Sequence, residues 1–236
     1  MLTSYIALIV AVYAIEALAL WRVRLAYSRC ACCTEGVEEA GAVVARRMLR
    51  AYGVDEVAVH GGEQGLSDRY DRDEHAVVLS DEVYSSCNAA ALAIACHECG
   101  HACQDAEGVR MLRGWGLLVS ATRVLASAWV FVLILGIAMD AASVCVAGVA
   151  ALTLAVACSL IALPVELDAS KRALAFLESC EEAPVLPEQT MRAVREVLRA
   201  AAASYLAESL LGILDLAVRA TSSFVHEGNT GSNSAH

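Results

Sequence analysis

Residues 93–108, AIACHECGHACQDAEG, bring His97, Glu98 and His101 together with Cys96, Cys99 and Cys103 in one run. On a helix, two histidines four apart project from one face and can share one metal ion. Glu98, next to the first, can hold a water there without taking a coordination position. This is the H-E-x-x-H pattern of zinc peptidases. A catalytic zinc also needs a third protein ligand and an open position for water. His60 and His75 sit at predicted strand ends or turns, where a solvated polar role is the plainer reading, and His226 and His236 lie in or beside a polar tail. Glu166, in LPVELDASKRAL, follows directly on a long apolar run, where a carboxylate is costly unless paired, metal-bound or hydrated. The residues alone leave two readings of it open: a metal ligand, or an interfacial glutamate paired with Lys171 or Arg172.

The cysteines raise a rival chemistry. Cys96 and Cys99 form a C-x-x-C, and Cys103 follows four residues later, so a cysteine metal site or redox pair is conceivable. On an ideal helix, however, Cys99 points away from both histidines, and small buried apolar residues are the simpler role for all three. The chain's 10 cysteines fall at irregular spacing, several inside apolar segments, which reads as reduced thiols rather than a disulfide framework. Cys30, Cys32 and Cys33 lie just beyond the first apolar run, where acylation is one reading and spare thiols the other.

These residues must be positioned in an unusually apolar chain. Of 236 residues 58% are hydrophobic, and the mean hydropathy is +0.56, which places the chain among membrane proteins. A net charge of -10, with Lys171 as the one lysine, excludes a nucleic-acid binder that must neutralise phosphates. Residues 1–22 read as a transmembrane anchor; no basic residue precedes the apolar run and Glu16 interrupts it, which argues against a cleaved signal peptide. Residues 116–163 read as a transmembrane hairpin turning at Asp140, 164–199 as a cytosolic segment with the Glu166 helix, 200–220 as a membrane or interfacial helix carrying Glu208 and Asp215, and 221–236 as a disordered tail. Arginines cluster between the first and second apolar runs and again between the third and fourth, while the amino terminus and the 140 turn have none. The positive-inside rule then puts the polar regions, and the motif, in the cytoplasm and the amino terminus outside.

Residues 28–112 read as a small α+β insert. GVEEAGAVVARRMLRAYGV places Val37, Ala40, Val43, Val44, Met48 and Ala51 on one face of a helix ended by Gly53. VAVHGG and HAVVLS are short strand-like runs with the polar EQGLSDRYDRDE between them. CNAAALAIACHECGHACQDAEG is expected to be helical from Asn88 to Ala106.

GLSDRYDRDEHAVVLSDEVY, then ALAIACHECGHACQDAEG and later LPVELDASKRAL, closely resemble the YugP-like family of bacterial neutral zinc metallopeptidases, in the same order of elements over about residues 1 to 218. The resemblance implies a membrane-embedded, zincin-like enzyme, similar to HtpX-like and CAAX-protease-like peptidases. In those relatives a second helix supplies a glutamate ligand in an E-x-x-A-D pattern. ELDAS here gives Glu166 and Ala169, then Ser170 where the relatives have aspartate, so either Ser170 or Asp168 is placed to orient a ligand imidazole. The fold class expected is therefore a mainly α membrane protein with transmembrane helices and a small cytosolic α+β insert.

The resemblance selects Glu166 as third ligand and implies one Zn2+ per chain, held with His97 and His101. Glu98 would take a proton from water and deliver it to the leaving amine. Tyr70, Tyr84 and Arg172 are candidates for stabilising the oxyanion. The expected function is an integral-membrane endopeptidase at the cytosolic membrane face, acting on a peptide or membrane-protein substrate, with the lipid bilayer as its other partner. An exposed strand edge could pair with an extended substrate. The alternative is a non-catalytic zinc-binding scaffold or metal sensor.

Overall fold

The structure, a computed structural model, describes residues 2–61, 68–108 and 115–200. The expected helix at 200–220, beyond its first residue, and the tail with His226 and His236 lie outside the described residues. The elements are α1 Leu2–Ala31, α2 Gly41–Ala51, β1 Ala58–Gly61, β2 Arg69–Asp71, β3 Ala76–Leu79, α3 Asp81–Ser85, α4 Ala89–Ala106, α5 Trp115–Ala138 and α6 Ala142–Ser179. A last described helix, α7, occupies 188–200. The architecture is mainly helical with one three-stranded sheet.

The chain divides into two compact units. The first takes α1 up to Ala19, α5 from Gly116 and α6 up to Ala162. Its described centre is a helical hairpin. Asp140 closes the turn at φ 50, a left-handed position that aspartate tolerates better than most residues, and the Ala141 N–H donates to the Gly136 carbonyl at 2.9 Å. Trp129, Leu133, Leu152 and Val156 are buried between the helices, while Phe131, Ile134, Val146 and Leu154 are exposed. The backbones come close at Gly148, where a Cβ would stand 2.9 Å from the Leu133 nitrogen and 3.0 Å from the Trp129 carbonyl oxygen. Among the described residues, α6 is the one helix long and apolar enough to cross a membrane by length and composition. Its 38 residues run on through Pro164, so the third apolar run and the segment carrying Glu166 are one helix.

The second unit comprises Leu20–Trp115 and Leu163–Ser204. Its core draws Met48 from α2, Leu79 from β3, Leu92 from α4, Phe176 from α6 and Val194 from α7. Helix α2 begins at Gly41 and buries Ala42, Val44, Ala45, Met48 and Leu49. The expected stripe was rotated from this one: Val43 and Ala51 are exposed, because the helix turns Ala45 and Leu49 to the core it shares with α4. In the sheet, of order β1-β3-β2, β1 and β3 run parallel and β2 and β3 antiparallel, with Val59 and Tyr70 both opposite Val77. Central β3 is buried at all four positions. Beyond the two strands expected from VAVHGG and HAVVLS, β2 forms inside the polar stretch between them. Asp71 then accepts the N–H groups of Asp73 and Glu74, and His75 takes φ 48 to turn the chain into β3. Helix α4 starts as expected: Asn88 caps it by accepting the Ala91 N–H at 2.8 Å.

Candidate metal centre

The residues of the site all belong to the second unit. Helix α4 presents His97, Glu98 and His101, and α6 presents Glu166 and Ser170 one turn apart. His97 Nε2 lies 3.1 Å and His101 Nε2 3.7 Å from the same carboxylate oxygen, Glu166 Oε2. The three ligand-type atoms are all within 4.8 Å of one another. Atoms sharing a tetrahedral zinc at about 2.1 Å stand about 3.4 Å apart, so the spacing and the two-nitrogen, one-carboxylate donor set both suit that ion. His101 and Glu166 are each 7% exposed. Burial pushes the Glu166 carboxyl up, but hydrogen bonds from His101 and His97 outweigh it and hold the group at about 2. Burial works against a charged His101, yet its bond to Glu166 and the neighbouring carboxylates lift it to about 9.

Close approach of the two helices makes this convergence possible. Gly100, between the motif's two histidines, packs against α6: a Cβ there would lie 2.6 Å from the Ala169 carbonyl oxygen. Each imidazole is held from behind. His97 Nδ1 meets Ser170 Oγ at 3.1 Å, and His101 Nδ1 meets Gln104 Oε1 at 3.0 Å. Of the two candidates for orienting an imidazole, Ser170 thus touches one directly, while Asp168 bonds Gln104 instead.

Glu98 is half-buried, and its Oε2 accepts the backbone N–H of Tyr70 at 3.0 Å. That N–H points away from β3, so the outer edge of β2 faces the motif helix. Asp105, two turns further along α4, fixes the strand there: Tyr70 Oη donates to its Oδ2 at 3.0 Å and Arg72 pairs with its Oδ1 at 2.7 Å. At the opposite edge of the sheet, Arg46 donates to the Val59 carbonyl of β1.

The three candidates for oxyanion stabilisation are placed differently. Tyr70 reaches Glu98 through its backbone, with its hydroxyl on Asp105. Tyr84 Oη accepts from Arg46 at 2.9 Å and is not brought to the histidines. Arg172 grips Asp168 through Nε at 2.7 Å and Glu107 through both terminal nitrogens at 2.6 and 2.8 Å. His60 and His75 are exposed, as a solvated role requires. Cys96, Cys99 and Cys103 are buried; Cys99 Sγ donates to the Ala45 carbonyl, and burial keeps all three thiols well above their usual range. All 10 cysteines are free thiols. Gln104, Gly100 and Asp105 carry no signal of their own in the sequence, because each matters only through α6 or β2.

Comparison with known proteins agrees with this chemistry. Residues 5–222 match the family described as "Putative neutral zinc metallopeptidase". The chain is 32% identical over 182 residues to the "Putative membrane protease YugP" of Bacillus subtilis (strain 168), an alignment that covers 75% of this chain and 77% of that one. No solved structure matches it.

Proposed function

Because the chain belongs to this family of neutral zinc metallopeptidases, we propose that it is an integral-membrane zinc endopeptidase whose ion is held by His97, His101 and Glu166. The observation that carries the reading is the meeting of Glu166 Oε2 with both Nε2 atoms, from a helix far along the chain. Zinc in that site supplies Lewis acidity, making water a better acid and a carbonyl a better electrophile. The protein's own work falls to Glu98. Its carboxylate stands on the ligand face of α4, where it can take a proton from the attacking water and return it to the leaving amine. The Tyr70 N–H holds that carboxylate by one oxygen, so its orientation is set before substrate arrives.

Substrate binding follows from the strand beside it. Edge strand β2 runs past Glu98, and an extended peptide paired to that edge, taking over the Tyr70 N–H that Glu98 holds in its absence, would bring main chain rather than a particular side chain to the site. This favours an endopeptidase of broad side-chain tolerance. The membrane reading is supported by α6, by the exposed apolar side chains of the α5–α6 hairpin, and by the name of the Bacillus subtilis relative. The arginine distribution favours a site at the cytoplasmic face.

The test is Glu98→Gln in the full chain. The variant should keep its zinc and lose peptidase activity by at least about a hundredfold, the lower end for general-base catalysis. Glu166→Ala and His97→Ala should lose zinc itself. An unchanged cellular function in Glu98→Gln would reject the enzyme in favour of a zinc-binding scaffold or sensor. Full zinc occupancy in Glu166→Ala would remove that residue from the ligand set.

A further inference from the structure

Gln104 lies one turn beyond His101 on α4 and is only 1% exposed, so its hydrogen bonds are made inside the protein. Its Nε2 donates to the Val165 carbonyl at 2.9 Å and to Asp168 Oδ2 at 2.8 Å. A carbonyl and a carboxylate only accept, so the side chain's NH2 group must face them; the flipped amide would set acceptor against acceptor twice. The opposite end, Oε1, is therefore what His101 Nδ1 meets at 3.0 Å. An amide oxygen cannot donate. A neutral His101 must then carry its proton on Nδ1 and its lone pair on Nε2, the nitrogen that converges on Glu166.

From this geometry we infer that Gln104 is a positioning residue, fixing the tautomer of His101 and tying that imidazole, through Val165 and Asp168, to the helix that supplies Glu166. The inference rests on the metallopeptidase reading, since the tautomer matters here because Nε2 is to meet a metal. Asp168 is itself kept in place by Arg172, whose other nitrogens grip Glu107 just beyond α4. Ser170 cannot do the same for His97, because a hydroxyl both donates and accepts and is compatible with either tautomer. The two ligand imidazoles are thus unequally constrained: His101 has its metal-facing nitrogen selected by the protein alone.

The experiment compares wild type, Gln104→Met and Gln104→Glu in the detergent-solubilised full chain, reading zinc affinity by chelator competition and the ligand-field absorption of the cobalt(II)-substituted protein. Methionine keeps the volume but offers no donor and only a weak thioether acceptor. Its zinc affinity should fall about ten- to hundredfold, the usual cost of losing a group behind a ligand histidine, with an altered cobalt spectrum. Glutamate keeps an acceptor toward Nδ1 and, protonated on its other oxygen, can donate to Asp168 while giving up the bond to the Val165 carbonyl, so it should bind zinc within about tenfold of wild type with the spectrum preserved. Wild-type affinity and spectrum in Gln104→Met would overturn the inference alone. So would a loss in Gln104→Glu as large as that in Gln104→Met, since that pattern means packing rather than hydrogen bonding. If Gln104→Met does not fold, Gln104→Glu decides: retention of zinc supports the role, and a tenfold or greater loss rejects it. A wild-type protein that takes up no zinc would instead overturn the metallopeptidase reading, and this inference with it.

Discussion

At the level of single residues, the two imidazoles of the motif differ in what stands behind them, although the pentapeptide treats them as equivalent. His97 relies on Ser170, which is 8% exposed and belongs to the same helix as Glu166. Ser170→Ala should therefore weaken zinc binding, by about tenfold, the low end for groups behind a ligand histidine, while leaving the His101 side of the site intact. Chelator competition checks this, and unchanged affinity would show that the hydroxyl does not support the ligand. The spacing of the motif singled out the histidines, and the family resemblance, through ELDAS, offered Ser170 and Asp168, of which Ser170 is the one that meets an imidazole. Gln104 was not legible, because a polar residue one turn past a histidine has no signature of its own. Its role appears once Val165 and Asp168 approach from the other helix. The Tyr70 backbone was hidden for a related reason, since a main-chain donor leaves no trace in residue type.

Among the elements, the packing of α4 on α6 decides whether there is a site at all. Gly100 is the contact point. An added Cβ would lie 2.6 Å from the Ala169 oxygen and 2.9 Å from its Cα, and both are backbone atoms that no rotamer change can move. Alanine is the better helix former by about 1 kcal/mol, yet overpacking a well-filled contact costs about 1–3 kcal/mol, so the clash prevails. Gly100→Ala is expected to lower the thermal midpoint and, by pushing Glu166 from the histidines, to weaken zinc binding as well; a midpoint at or above wild type would show that the helices part without penalty. The sequence indicated α4 through its alanine-rich run and Asn88 cap, but not the close approach. It also missed β2, because SDRYDRDE has little strand propensity of its own. That strand exists through pairing with β3 and through Asp105 holding Tyr70 and Arg72 from α4.

For the whole molecule, the decisive question is which solvent surrounds each unit. Phe131 is 71% exposed and Val146 66%, on helices whose opposite faces bury Trp129 and Leu133. Such large exposed apolar side chains are what a lipid-facing surface presents and what a soluble surface avoids. The 38 residues of α6 would reach about 57 Å at about 1.5 Å each, against a hydrocarbon core of about 30 Å. The stretch from Ala142 to Ala162 therefore suffices to span, and Glu166 follows one turn later, beyond the apolar part. Pro164, expected to begin a new segment after a span ending at Leu163, lies inside one continuous helix that leads from the apolar stretch to Glu166, so on the proposed reading membrane insertion and site assembly share an element. Two measurements test this placement together. The protein should stay with membranes through high salt and alkaline carbonate and be released by detergent, whereas release by carbonate would exclude a spanning hairpin. Cys32, exposed at the end of α1, then reports the side. A membrane-impermeant maleimide should label it in inverted vesicles and not in intact cells, with Cys32→Ser as the control for its share of the signal. Labelling of Cys32 in intact cells would put the second unit outside, against the arginine distribution, and would give the peptidase extracytoplasmic substrates.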